Sequence, residues 1–459
     1  MAFQFFTRHD TKRFFLIWLG ETGSSIGTGL TNFTLSIWVY QKTGSATTFG
    51  LISFLATVPS VVLLPVIGAL VDRSNLRRTM IWSNAAAAVS VLFVTFLALA
   101  NRVEVWHVFF VIFLRAIFLA FIEPAYLTSS TLLVPREQLT RAAGMTQSSQ
   151  AARQVISPVV AGFLLGLVSI PAITFIDFLT YAFAVITLLL VPVSAFAVSR
   201  PAVAQASSSL GREISEGWSY ITKRRGLLML LVYFALINFF IGVELVLLTP
   251  LVLSFSSTAS VGIALSAAGA GFLVGSIWTA IWGAPRNHIN SIFAFGFLFT
   301  FSGMALGLRP SLLLIVVAAF VMNFCLPFMN VCTQAIWQRK TPVSIQGRVF
   351  AVRRLFVVAA MPISFLSAGP FAQKVFEPLV NRGGWLRPYL DVLIGTGPGR
   401  GFALTFIVAG LITLAAQLGL HLYPRLRNVE SELPDIALEE NVATLTATAA
   451  PSNAATVET

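Results

Sequence analysis

Six ionisable residues stand inside long apolar runs: Glu21, Arg115, Glu123, Arg153, Asp177 and Glu244. The chain is 56% hydrophobic and 10% charged, and a charge in such surroundings is costly and tends to be functional. A carboxyl placed there can take up and release a proton, because burial favours the neutral acid and a neighbouring cation favours the carboxylate. An arginine keeps its charge, so it must hold an acid or an anionic ligand. Depth sorts the six, at about 1.5 Å per helical residue. Glu21, Arg115 and Arg153 fall near the middle of their runs. We expect Glu21 to face Arg115 and to switch protonation as substrate arrives or a helix moves. The alternative is a permanent ion pair that pins two helices. Glu123 and Glu244 fall near opposite mouths, where they either carry the proton instead or reach water. Asp177, near the start of its run, is expected close to the surface as a structural partner for a helix end.

Polar stripes accompany these charges. Glu21, Ser25, Thr28 and Asn32 share one helical face, as do Gln147, Gln150 and Gln154 beside Arg153. Asn323, Asn330 and Gln334 form a looser third stripe. They either line a substrate cavity or hydrogen-bond between helices. His107 and His288 sit at run edges and form no cluster. Neither a metal site nor a nucleophile–base arrangement is visible, so an enzyme is not expected. "GTGPGRG" at 395–401 lacks the Lys-Ser/Thr pair of a phosphate loop. No cofactor is expected, with a proton gradient as the energy source. Cys325 and Cys332 are read as buried free thiols.

The elements that must position these residues are membrane helices. A span needs roughly 20 mostly apolar residues. Twelve such runs occur, at about 12–40, 46–71, 79–100, 105–131, 143–168, 172–197, 226–255, 260–283, 290–308, 310–337, 348–370 and 401–423. Of the 30 Lys and Arg residues, 21 fall on the side of the N-terminus and 7 on the other. That bias places both termini in the cytoplasm. It also explains the net charge of +12 without nucleic acid. No signal peptide is seen. "FIEPAYLTSSTLLVPREQLTRAAG" (121–144) is echoed by "FCLPFMNVCTQAIWQRKTPVSIQGRVFA" (324–351). Proline-broken spans (Pro124, Pro327) lead to a loop and an arginine (Arg141, Arg348), then to a span with an internal proline, Pro158 or Pro362. Two parallel six-span halves follow from this repeat. Residues 1–11 form a cytoplasmic N-terminus, 12–197 the first half, 198–225 a linker, 226–423 the second half and 424–459 an acidic, disordered tail. In the linker, Leu210, Ile214, Trp218 and Ile221 share one face, which suggests an amphipathic helix on the inner leaflet.

The loop between the second and third runs, "GALVDRSNLRR", packs four charges into seven positions. Gly68-x-Leu70-x-Asp72-Arg73-x-x-x-Arg77-Arg78 resembles the signature 2–3 loop of the major facilitator superfamily. "WVYQKTGSATTFGL", "FIDFLTYAFAVITLLLV", "EISEGWSYI" and "GRVFAVRRLF" are similar to its macrolide-efflux branch. The resemblance implies a latch in which Asp72 meets the start of span 11, near Gly347 and Arg348, and the loop arginines join it. It also implies that spans 1, 4, 7 and 10 line a central cavity. Arg115 resembles the span-4 arginine of drug antiporters, with Leu119 where a glycine is usual.

The expected protein is therefore an all-α, twelve-span transporter of the cytoplasmic membrane, acting as a monomer. Its expected work is proton-driven export of a hydrophobic or amphiphilic compound. Export of an anionic metabolite such as a siderophore stays open, because Arg115 and Arg153 outnumber Glu21 at mid-depth. A membrane receptor or scaffold that moves nothing is the alternative from another class.

Overall fold

The computed structural model describes residues 9–63, 67, 70–71, 74–135, 138–192, 210–283, 285, 287–380, 391–392 and 394–432. Among the described residues the regular structure is helical throughout. The first half holds α1 (His9–Thr43), α2 (Ala46–Val62), α3 (Leu76–Leu99), α4 (Val105–Leu133), α5 (Leu139–Leu167) and α6 (Ile170–Leu190). A linker helix follows, α7 (Leu210–Lys223). The second half holds α8 (Arg225–Leu253), α9 (Thr258–Trp282), α10 (His288–Ala305), α11 (Leu312–Lys340), α12 (Val343–Pro370) and α13 (Arg400–Leu422). Leaving out α7, these twelve helices coincide with the twelve apolar runs. Among the described residues, ten helical segments are long and apolar enough to cross a membrane, and α2 is a shorter apolar helix. The chain is a multi-pass membrane protein.

Side chains start several of these helices. Ser45 Oγ accepts from the Thr48 amide at 3.2 Å, and Asn75 Oδ1 accepts from the Arg78 amide at 3.1 Å. Each thereby satisfies a donor that the helix leaves open. Pro124, Pro158 and Pro327 lie inside α4, α5 and α11 without ending them. Neighbouring helices tolerate such breaks where no water competes for the backbone.

Packing repeats between the halves. In the first, contact runs in the order α2–α4–α3–α6–α1–α5, and in the second in the corresponding order α9–α11–α10–α13–α8–α12. Two joints, α5–α9 and α2–α12, close the ring. At the first, Gly262 lies so close to α5 that an added Cβ would sit 2.6 Å from the Pro158 carbonyl oxygen. At the second, a Cβ on Gly50 would sit 2.2 Å from the Phe365 carbonyl oxygen. Only glycine admits these approaches. Ser266 Oγ adds a hydrogen bond to the Val155 carbonyl at 2.8 Å, and Gln373 Nε2 one to Gly44 O at 2.9 Å. Both joints lie towards the end that carries the α1–α2 and α5–α6 turns, called the far end below. The opposite end carries α7 and is called the linker end.

Three expectations need correction. The helix of span 11 does not stop at 370: it continues through a π-helical turn at Phe371–Phe376 into Glu377–Val380. Glu377 then accepts from the Gly399 and Gly401 amides, at 3.3 and 2.6 Å, and so anchors the start of α13. Second, the tail is ordered as far as Glu432. Leu426 and Val429 are fully buried, and Lys340 Nζ donates to the Glu430 carbonyl. The rest of the tail lies outside the described residues. Third, α7 does not rest only on lipid. It packs on α12, with Trp218 stacked on Phe356 at 4.7 Å and Glu216 paired with Arg348 at 2.5 Å. Ile221 is fully buried, so part of the apolar face turns to protein.

Candidate functional site

A cavity of about 310 Å³ opens among α1, α4 and α5. Volumes of this order suit small molecules. Glu21, Thr22, Ser24, Ser25 and Thr28 line it from α1, Leu119, Ile122, Glu123 and Tyr126 from α4, and Ser149, Gln150 and Arg153 from α5. Glu21 lies twelve residues into α1, about 18 Å along the axis from the linker end. The Glu21, Ser25, Thr28 stripe thus faces the cavity, as do Gln150 and Arg153.

The expected Glu21–Arg115 pair is not formed. Glu21 Oε1 instead accepts from Asn84 Nδ2 of α3 at 3.0 Å. Asn84 Nδ2 also donates to the Met80 carbonyl at 3.0 Å, which fixes the amide, and Ser24 Oγ donates to its Oδ1 at 3.5 Å. Arg115 pairs with Asp177 of α6 (Nη2 to Oδ2, 3.0 Å), and the two are 2% and 0% exposed. Tyr181, one turn after Asp177, accepts from Arg115 at 3.3 Å and shares a hydrogen bond with Thr28 at 2.7 Å. Asp177 is therefore a buried ion partner and not a surface cap. Depth along a helix had put Arg115 and Glu21 at one level, but it carries no information on azimuth. Arg115 turns to α6 while Glu21 turns to α3 and the cavity.

The second half holds a similar arrangement. Glu244 Oε1 of α8 accepts from Asn323 Nδ2 of α11 at 3.0 Å, and Asn323 Nδ2 also donates to the carbonyl one turn back, Ala319, at 3.0 Å. Glu244 is buried and does not reach a mouth. Asn330 is exposed, Asn32 is half-buried, and Gln334 Oε1 accepts from Arg353 at 2.9 Å. The side chain of Gln147 lies outside the described residues, and the Gln154 backbone carbonyl abuts Gly269 at the α5–α9 joint.

Glu123 also borders a second pocket, of about 160 Å³, whose walls come from both halves: Ser60, Ala120 and Pro124 on one side, Arg354, Leu355 and Val358 on the other. Of the 2–3 loop motif, Gly68, Asp72 and Arg73 lie outside the described residues. Arg77 donates to the Leu188 and Leu189 carbonyls at 2.9 and 3.0 Å, where a cation meets the open carbonyls of the α6 C-terminus. Arg78 is exposed, and Arg348 is held by Glu216.

Sequence reasoning passed over Asn84 and Tyr181. A signal existed for each. Asn84 is a lone amide ahead of four alanines, and Tyr181 follows Asp177 at helical spacing.

Comparison with known proteins agrees with this architecture. Macrolide efflux protein A of Streptococcus pyogenes is 30% identical over 374 residues, 79% of this chain and 90% of that protein. Macrolide efflux protein A of Enterococcus faecalis is 31% identical over 322 residues, 68% and 97% of the two chains. A bacterial homologue of the human lysosomal transporter Spinster, solved in an inward-facing, unoccupied conformation, superposes with a TM-score of 0.65 at 13% identity, covering 92% of this chain and 97% of that one. The model of the Major Facilitator Superfamily matches residues 17–365, and with twelve helices packed as two matching halves among the described residues, the chain belongs to that superfamily of transporters.

Proposed function

We propose that the protein exports hydrophobic or amphiphilic small molecules, driven by protons, through alternating access between its two halves. The observation that carries the reading is the setting of Glu21: a carboxyl on the cavity wall whose partner is an amide and not a guanidinium. Asn84 donates one hydrogen bond to Oε1 whether or not Oε2 holds a proton. A guanidinium would favour the carboxylate throughout the cycle. Glu21 is thus free to exchange its proton as substrate enters the same cavity. Tyr126, Leu119 and Ile122 supply apolar wall beside it, which suits an amphiphile. The names of the efflux relatives support export.

The basic bias of the loops supports a cytoplasmic linker end. With both joints at the far end, the cavity would then face the cytoplasm in this state. Asp72, by resemblance, would latch that end when it closes.

Export of an anionic metabolite loses its motivation here. Asp177 neutralises Arg115, and the cavity sets Glu21 and Glu123 against Arg153 alone. The test is transport in proteoliposomes with an imposed pH gradient, across macrolides, dyes and siderophores. Accumulation of a macrolide or dye that follows the gradient supports the reading. Accumulation indifferent to the gradient, or confined to siderophores, refutes it, and no transport of any kind favours a receptor or scaffold.

A further inference from the structure

A second concave surface lies away from the cavity, between α7, α8 and α12. It encloses about 300 Å³ and is walled by Trp218, Leu228, Val232, Phe239, Phe356 and Ile363. Trp218 and Phe356 stack at 4.7 Å to form its roof at the linker end. Phe356 is 46% and Ile363 62% exposed, so the described residues leave this apolar surface uncovered. From Leu228 to Phe239 the groove runs along eleven residues of α8, about 16 Å. That is close to half of the roughly 30 Å hydrocarbon core, the depth of one leaflet.

Among the described residues, charge stands at one end of the groove only. Arg225 lies three residues before Leu228 and seven before Val232, on the same face of α8. Lys223, at the end of α7, and Arg225 are both exposed. The nearby acid Glu216 is engaged with Arg348, and Arg224 lies over the Tyr220 ring at 3.6 Å. Gly226 packs against the backbone of Arg425, which adds the exposed Arg425 and Arg427 to the same end. The surface is basic at the mouth, purely apolar below it, and one leaflet deep.

We propose that this groove binds one acidic phospholipid from the leaflet at the linker end, with an acyl chain along α8 and α12 and the phosphate on Lys223 and Arg225. Such a lipid joins the linker helix to α12, the helix that makes one of the two joints between the halves. Each contact between a Lys or Arg and an acidic headgroup favours that lipid about fivefold over a neutral one, so Lys223 and Arg225 together favour it about 30-fold.

The test uses the full chain in phosphatidylcholine vesicles doped with phosphatidylglycerol whose acyl chains carry bromine, a short-range quencher of indole fluorescence. The chain has 9 tryptophans, so the Trp218 signal is taken as the difference from Trp218→Phe, which keeps an aromatic ring on Phe356. Brominated phosphatidylglycerol should quench that signal at about a 30-fold lower mole fraction than brominated phosphatidylcholine. Lys223→Gln with Arg225→Gln should abolish the preference, and Ala235→Leu, at a residue that also lines the groove, should fill it and weaken quenching by both lipids. Native mass spectrometry of lipid retained by the purified protein gives a second readout should Trp218→Phe be poorly produced. Equal quenching by the two lipids, or a preference that survives the double substitution, overturns the proposal. Relief of quenching by an added macrolide would assign the groove to substrate and overturn it as well.

Discussion

Asp177→Asn tests the polar framework most directly, because Arg115 has then lost its counter-charge without room to leave. The two side chains are 2% and 0% exposed and 3.0 Å apart. Removing one partner of a buried pair strands a charge and costs about 3–5 kcal/mol. The acceptors that remain, the asparagine oxygen and Tyr181 at 3.3 Å, offer dipoles and not a charge. Replacing both partners by apolar residues, Arg115→Met with Asp177→Leu, removes the stranded charge and should cost less than Asp177→Asn alone. The assay is reversible denaturant unfolding of the purified protein in detergent, run as a double-mutant cycle. Arg115→Met and Asp177→Leu should couple by about 2 kcal/mol, whereas Arg115→Met and Glu21→Gln should add to within about 0.5 kcal/mol. An Asp177→Asn protein as stable as the parent, or strong coupling between Arg115 and Glu21, would refute the pairing and restore Glu21 as the arginine's partner.

Glu21→Gln should keep substrate binding and fold stability within about 1 kcal/mol, since Asn84 can bond a neutral amide oxygen, yet lose pH-driven accumulation in inverted vesicles. Full gradient-driven uptake by this variant would pass the role to Glu123 or Glu244. Gly50→Val should force α2 from the Phe365 carbonyl and raise far-end labelling of a single cysteine at Ser53, measured in a background without Cys325 and Cys332; unchanged labelling would show that the joint does not govern opening. Arg354→Glu should slow turnover severalfold by placing two acids in the pocket shared with Glu123, and Glu123→Arg in the same protein should restore it. Failure of the swap to restore turnover would show that the two charges do not meet in the cycle. For orientation, Ser74→Cys should label from the cytoplasm and Thr396→Cys from outside in intact cells, with the reverse result inverting the topology.

Much of the fold could be read from the chain because lipid imposes a simple rule: backbone polar groups must bond within the segment, so each apolar run is a helix. The twelve runs and the internal repeat therefore carried the architecture. The pairing of charges was less legible. Arg115, Glu21 and Asp177 all lie inside apolar runs, and sequence position fixes their depth to within a turn. Their rotation about the helix axis depends on which neighbour each helix packs against. α6 lies beside both α1 and α3, so Asp177 and Tyr181 come into reach of Arg115 while Asn84 comes into reach of Glu21. No local pattern encodes that. The continuation of α12 beyond Pro370 was hidden for another reason: Gln373, Lys374 and Glu377 break the apolar run there, so the signal that marks a span ends although the helix does not.

The distribution of contacts suits a molecule that rocks. The strong polar interactions, Arg115–Asp177, Glu21–Asn84 and Glu244–Asn323, each lie within one half. They make each half resist deformation, because breaking any of them gives up a hydrogen bond held between two helices of that half. At the joints, by contrast, Gly50 and Gly262 rest on backbone carbonyls. Such surfaces separate without leaving a buried charge or an unfilled side-chain socket. Glu21 belongs to the first half alone, and Arg354 to the second, yet both border space between α4 and its neighbours. A relative rotation of the halves therefore changes what surrounds Glu123 and the cavity mouth while Glu21 keeps its amide partner. Under the proposed proton coupling, the cycle does not require an ion pair to break at each turnover. It requires only that water reach Glu21 from one side at a time.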